Sequence, residues 1–278
     1  MNLSKIRSVS IARRQRFRAR YGPWAVVTGA SDGIGREIAL RAAESGLNLA
    51  LVARRRERLE ELASAIISRN QVETRVISAD FANSSGAVAV QSGTQDLDVG
   101  LLVAAAGFGT AGPFVRADLA TESEMLEVNC RAVLALSLHF AKRFAERGRG
   151  GIVLMSSLLG FQGVPQAAQY AATKAYIQSF SEALHSELAP IGVDVIASAP
   201  GPVNSGFADR AGMRMGVTLR PAAVAQATLN ALGRRRTVVP GFLSKILTYS
   251  LLPLPRWARV QIMGLIMGGM TRHLRESC

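Results

Sequence analysis

Two cysteines in 278 residues, Cys130 and Cys278, cannot build a disulfide framework, which excludes the small secreted scaffolds that depend on one. The scarcity fits a reducing compartment, and a cytoplasmic setting is expected. Cys130 follows Asn129 in an apolar helical stretch and reads as core. Histidine is equally scarce: His139, His185 and His273 fall at no metal-ligand spacing, so no metal is expected. No apolar run approaches the roughly 20 residues that cross a bilayer. The basic start of the chain has no apolar h-region, which argues against a secretory leader. Zinc-finger, helix-turn-helix and RNA-recognition patterns are missing, so the net charge of +13 is not read as a nucleic-acid footprint. Internal repeats and low-complexity linkers are absent too.

Acids are missing where the positive charge is concentrated. Residues 1–20 carry Lys5 and six arginines with no acid, and residues 234–278 carry a net +7, which leaves the body between at −1. The first segment reads as a basic surface helix, with an Arg-rich transit peptide as the alternative. In the second, residues 242–252 are largely apolar, and Pro253 and Pro255 interrupt the run. Trp257, Val260, Met263, Met267, Met270 and Leu274 then recur at steps of three and four, as on one helical stripe. Arg256 and Arg259 flank the tryptophan, as at a membrane interface. Two readings stand: an amphipathic segment lying on an anionic membrane surface, or a cover packed over a cleft or a subunit contact.

The chain as a whole is 49% apolar, enough for a large core, and its length suits one α/β domain with short extensions. Apolar strand patterns at 24–28, 47–53, 74–79, 99–105, 151–156, 192–199 and 237–239 alternate with helical patterns at 34–45, 55–69, 121–146, 169–189 and 221–232. That alternation predicts a doubly wound parallel sheet of about seven strands with helices on both faces. The segment 84–96 belongs to a crossover helix, although its serines and glycines make it a weak one. Thr121 and Glu124 have capping-box spacing at the start of the long third helix, and Pro221 suits the first turn of the last.

Two constellations carry chemistry. The first is Thr28-Gly29-Ala30-Ser31-Asp32-Gly33-Ile34-Gly35, between the first strand and the first helix. Glycines there allow a tight turn and close approach of a pyrophosphate, which the free N–H groups of the helix start attract. After the second strand come Ala53-Arg54-Arg55-Arg56. An acid at that point would bind ribose hydroxyls, whereas arginine pairs with the extra phosphate of NADP. Arg54 and Arg55 therefore predict NADP(H), with NAD(H) the lesser alternative. The second constellation is Tyr170 and Lys174, four residues apart on one helical face, with Ser157 thirteen residues earlier at a strand end. A nearby cation lowers a phenol pKa from its usual value of about 10, tuning Tyr170 for proton transfer.

These residues together resemble the short-chain dehydrogenase/reductase family from about residue 23 to about residue 240, most of all its branch of hydroxysteroid dehydrogenases and long-chain β-ketoacyl reductases. Residues 28–35 are similar to its cofactor loop, including Gly29, Ser31, Asp32, Gly33, Ile34 and Gly35. Asn129, Ser157, Tyr170 and Lys174 match its catalytic four. Pro200-Gly201-Pro202-Val203-Asn204-Ser205 resembles its P-G-x-V-x-T turn. Ala104-Ala105-Ala106-Gly107 departs from the usual N-N-A-G and lacks two amides that tie the sheet beside the cofactor. The resemblance implies a Rossmann-type dinucleotide-binding catalytic domain over 23–240, a basic arm over 1–22 and an apolar, basic extension over 241–278. It implies that Asp80 meets the adenine, that Ala106 and Gly107 pass close to the adenosine ribose, and that Lys174 binds the nicotinamide ribose. Pro200, Gly201, Val203 and Ser205 would face the nicotinamide amide, and Asn129 would link Lys174 to solvent through a water. The implied reaction interconverts a ketone and a secondary alcohol by hydride transfer, with Tyr170 as acid or base and Ser157 on the substrate oxygen. Homo-oligomers are common in the family, often through the helices carrying Asn129 and Tyr170.

The substrate is expected to be hydrophobic. Phe207, Met213 and Met215 lie in a loop, 201–220, that should close the cleft, and Phe108, Phe114, Leu158 and Phe161 are further apolar candidates near it. Two other readings stand beside the enzyme: an idle NADP(H)-binding redox sensor, and a membrane-surface interaction protein whose ends do the main work.

Overall fold

The computed structural model describes residues 12, 14–213 and 216–271. Seven parallel strands form one sheet: β1 (Trp24–Thr28), β2 (Asn48–Ala53), β3 (Thr74–Ser78), β4 (Val99–Ala104), β5 (Gly150–Met155), β6 (Val193–Ser198) and β7 (Thr237–Val238). Their order is 3-2-1-4-5-6-7. Every position of β4 and β5 is buried. Continuous apolar runs of this kind suit a parallel sheet covered on both faces. On one face α1 (Gly33–Glu44), α2 (Arg56–Asn70) and α8 (Pro221–Ala231) bury Ile38, Leu59 and Val224. On the other, α3 (Ser84–Gly93), α5 (Ala132–Arg147) and α6 (Ala168–Leu188) bury Val90, Phe140 and Ile177. The strand order reverses between β1 and β4, which opens a crevice above their carboxyl ends.

Each expected strand forms within a residue or two of its predicted limits. The weak crossover helix forms as α3, and one of its glycines has a packing reason. A Cβ on Gly86 would come within 2.1 Å of the Asp80 carbonyl oxygen. The long third helix starts earlier than predicted, as α4 (Leu119–Leu126), and runs through a π-turn (Glu127–Arg131) into α5. Its cap is Asp118, whose side chain accepts from Thr121 N at 2.9 Å, so Thr121 and Glu124 form no capping box.

The ends are anchored in different ways. Residues 14–21 are helical, in keeping with the expected basic helix, whose residues 1–11 and 13 lie outside the described residues. Arg20 Nε and Tyr21 Oη donate to Asp194 on β6 at 2.5 and 2.7 Å. At the other end α9 (Phe242–Leu251) and α10 (Arg256–Met270) form a hairpin broken at the two prolines. Arg259 donates to the carbonyls of Leu254 and Leu252 and so ties the turn together. Met263 and Met267 pack on Leu158, Val164 and Met213. Trp257 does not join their stripe and is 71% exposed. Each step of three falls about 60° short of a full turn, so two of them carry Trp257 about 120° round the helix from Met263. Leu274 lies outside the described residues. Among the described residues no helix is long and apolar enough to cross a membrane.

Candidate active site

A cleft of about 820 Å³ opens above the carboxyl ends of the strands. Ser157 stands just past β5, and Tyr170 and Lys174 lie one turn apart on α6; all three are buried and line one end of it. Lys174 Nζ donates to the Met155 carbonyl at 2.8 Å and sits 5.7 Å from the centre of the Tyr170 ring. Ser157 Oγ accepts from Leu159 N at 3.2 Å, which holds the hydroxyl at the cleft wall. Burial pushes the Tyr170 phenol up to about 12, against a smaller downward pull from the Ser157 hydroxyl. This corrects the expectation of a lowered phenol. Removing the side chain from water disfavours phenolate more strongly than the Ser157 hydroxyl favours it, and the Lys174 amine, held on the Met155 carbonyl, does not offset the loss. The same loss of water lowers Lys174 to about 8.

Asn129 does not line the cleft. It lies behind it in the π-turn, fully buried, with its amide already engaged. Oδ1 accepts from Phe108 N at 3.1 Å, and Nδ2 donates to Phe108 O at 2.8 Å and to Thr173 Oγ1 at 3.1 Å. Its two amide protons are thus taken by protein partners, and its observed work is to fix the loop after β4. Cys130 beside it is half-buried rather than core, and burial raises its thiol.

The glycine loop lines the other end of the cleft, with Gly29, Ser31, Asp32, Gly33, Ile34 and Gly35 all in the wall. Gly29 has φ +67°, and a Cβ there would stand 2.8 Å from the Ala105 carbonyl oxygen. Asp32 caps α1 by accepting from Gly33 N at 2.7 Å. Where two amides are missing after β4, the Thr28 hydroxyl accepts from Ala105 N and Ala106 N at 3.0 and 3.1 Å. Arg54 and Arg55 reach the same end. Arg55 Nη2 donates to Ser31 Oγ at 3.4 Å, and Arg54 Nη1 lies 3.9 Å from Asp80 and 3.7 Å from Glu124. Ala106, Gly107, Pro200, Gly201, Val203 and Ser205 complete the wall. A backbone cradle at a helix start beside two arginines and no acid at Ala53 fits a dinucleotide with an additional phosphate.

The third region is apolar. Phe108, Leu158, Phe207, Met213, Met263 and Met267 face the cleft, and the Phe207 ring lies 5.3 Å from that of Tyr170. Phe207 begins a short helix, α7 (Phe207–Arg210), in the expected closing loop. Met215 lies outside the described residues. Phe114 and Phe161 are not in the wall; Phe114 is 69% exposed in a 3-10 turn. Reading the sequence missed Glu124 and Arg210, which pair at 3.2 Å in the cleft wall. Arg210 ends the four-residue α7, which is too short to show a periodicity, so no pattern marks it. Among the described residues no cluster of His, Cys, Asp and Glu could hold a metal ion.

Comparison with known proteins agrees with this geometry. The family profile described as short chain dehydrogenase matches residues 23–215. A 7β-hydroxysteroid dehydrogenase of Clostridium sardiniense is 37% identical over 185 residues, 66% of this chain and 71% of that protein. A very-long-chain 3-oxoacyl-CoA reductase of Coccidioides immitis (strain RS) is 33% identical over 258 residues, 91% of this chain and 70% of that protein. The solved structure of a short-chain dehydrogenase from Sphingobium yanoikuyae in complex with NADPH superimposes with a TM-score of 0.76 at 29% identity, over 87% of this chain and 95% of that one.

Proposed function

The chain belongs to the short-chain dehydrogenase family, and from that premise we propose that it interconverts a hydrophobic ketone and its secondary alcohol with NADP(H). One observation carries the reading: Ser157, Tyr170 and Lys174 line the same cleft as the glycine loop and the arginine pair. The cofactor, when bound, supplies or takes the hydride at the carbonyl carbon. The glycine loop and the start of α1 bind its pyrophosphate, and Arg54 and Arg55 bind the extra phosphate. Ser157 holds the substrate oxygen by a hydrogen bond. Tyr170 gives its proton to that oxygen in reduction and takes it back in oxidation. A phenol raised to about 12 carries its proton throughout the neutral range and so starts as the acid that reduction needs. Lys174 would hold the cofactor ribose with its ammonium, and Asn129 positions the loop after β4.

The apolar end of the cleft supports a bulky lipid-like, steroid-like or β-ketoacyl substrate. Exposed apolar side chains on the helices that flank the site, Leu126, Leu134, Leu138 and Tyr176, favour a homo-oligomer built through that face. The test is a panel of steroid, aliphatic and acyl-thioester ketones assayed with NADPH and NADH, on the parent protein and on Tyr170→Phe. Turnover with NADPH on a bulky ketone is expected, and loss of the phenol removes it by a factor of about 10² to 10⁴. Activity of the variant within about tenfold of the parent would exclude Tyr170 as the acid.

A further inference from the structure

Helix α9 is amphipathic with its apolar side facing out. Ser244, Thr248 and Leu251 are buried, while Phe242, Leu243, Ile246 and Tyr249 are 47–80% exposed. At about 100° per residue the two sets centre on opposite sides of the helix. A helix on the surface of a soluble globule places its apolar stripe inward. Here the inward face even leaves the Thr248 hydroxyl buried with no hydrogen-bond partner among the described residues. The pattern continues in α10. Trp257 and Leu265, eight residues apart, are 71% and 80% exposed, while Met263 and Met267 on the opposite side line the cleft. One hairpin therefore presents one apolar surface outward and another to the active site.

Charge selects the occupant of the outer surface. Residues 234–271 contain six cations and no acid, and Lys245 and Arg256 are exposed beside the apolar patch. A second copy docking there would bring uncompensated like charges together, whereas anionic headgroups would neutralise them. We propose that α9 and α10 dock this protein on an anionic lipid surface, so that a substrate dissolved in the bilayer reaches the cleft through the wall these helices form. The apolar side chains enter the boundary between headgroups and acyl chains, and the cations remain at headgroup level. The entry route rests on the proposed oxidoreductase reading; the docking does not.

Sedimentation with vesicles tests it, using phosphatidylcholine alone and phosphatidylcholine with a quarter phosphatidylserine. The parent protein is expected to sediment with the anionic vesicles at low salt and to be released as salt rises. The Phe242→Asp/Ile246→Asp variant should stay in the supernatant, and Lys245→Glu/Arg256→Glu should bind at least about tenfold more weakly. Both variants should keep the parent's melting curve and its turnover of a water-soluble ketone. Because sedimentation needs no turnover, an inactive protein that binds vesicles would sink the enzyme reading alone. A parent indifferent to anionic vesicles, or a Phe242→Asp/Ile246→Asp variant that binds as well as the parent, would overturn the docking. So would a parent that ignores vesicles but self-associates on sizing while that variant is monomeric, since a second copy would then be the occupant.

Discussion

Lys174 Nζ donates to the Met155 carbonyl at 2.8 Å while lying 5.7 Å from the centre of the Tyr170 ring. The lysine is thus held by a strand-end carbonyl and is not turned onto the phenol oxygen. Both groups are buried, and burial moves their titrations in opposite directions, Tyr170 up to about 12 and Lys174 down to about 8.

That opposition gives a pH signature of stability. Between about pH 8 and the ordinary lysine value of 10.5, the unfolded chain holds a proton that folded Lys174 has released. Stability therefore rises with pH across that window through Lys174. Above about pH 10 the unfolded chain loses the Tyr170 proton first, and stability falls as pH climbs towards 12. Lys174→Met removes the rising limb. Thermal melts of the cofactor-free protein at pH 7 to 10 should show the parent gaining on the variant above pH 8. A constant difference between the two curves would refute the lowered lysine.

Cofactor choice follows from the contacts of Arg54. Its guanidinium lies 3.9 Å from Asp80 and 3.7 Å from Glu124, exposed enough to change partners. Arg54→Asp should cut kcat/KM for NADPH by about 10- to 100-fold, since a hydrogen bond to a charged group is worth roughly 1.5–3 kcal/mol. NADH should lose little. Glu124→Gln has the opposite sign. It removes a carboxylate that competes for Arg54 and should lower the NADPH KM by up to about fivefold, the range of an exposed ion pair. Initial rates with both nucleotides check both variants, and an unchanged NADPH:NADH ratio in Arg54→Asp would rule the arginine out.

The strands were legible in the sequence because a parallel sheet buried on both faces demands unbroken apolar runs, and Leu101, Leu102 and Val103 supply one. The glycine loop and the Tyr170–Lys174 spacing were legible because both are local, set by one turn and by one helical period. What was not legible depends on distance or on water. Periodicity puts Tyr170 and Lys174 on one face but says nothing about how dry that face is, so the direction of the phenol shift came out wrong. Thr121 and Glu124 imitate a capping box, which hid the cleft carboxylate. Spacing also took Trp257 into the methionine stripe, because steps of three and four look alike until their angles accumulate.

Asn129 and Phe108 are 21 residues apart, and their contact predicts a stability role for a residue that resembles part of a proton path. Asn129→Ala leaves the buried Phe108 N–H without its partner and removes a donor from the Phe108 carbonyl. Each buried group left unpaired costs about 1–3 kcal/mol. The variant should lose several kcal/mol in urea unfolding whether or not cofactor is present. Ser157→Ala should abolish turnover and change stability little, because the hydroxyl caps a single backbone N–H, that of Leu159, and otherwise meets the Tyr170 phenol, which keeps its proton without it. If Asn129→Ala unfolds at the parent's urea midpoint, the clamp on the loop is not structural.

The methionines of α10 decide how large a substrate the cleft admits. Met263 and Met267 are almost fully buried and line the apolar end together with Leu158 and Met213. Methionine adapts its shape to what it touches, so this wall accepts bulky ligands of differing outline. Met263→Trp replaces a flexible thioether with a rigid ring and takes volume from the substrate end, leaving the glycine loop and Arg54 at the far end untouched. Kinetics on a short and a bulky ketone should then separate. kcat/KM for the bulky substrate should fall by at least about tenfold, as overpacking by a few methylenes costs about 1–3 kcal/mol. The short substrate and the KM for NADPH should stay within about threefold. Equal losses on both ketones would mean that α10 supports the fold without bounding the substrate, and size selection would have to come from the loop carrying Phe207 instead.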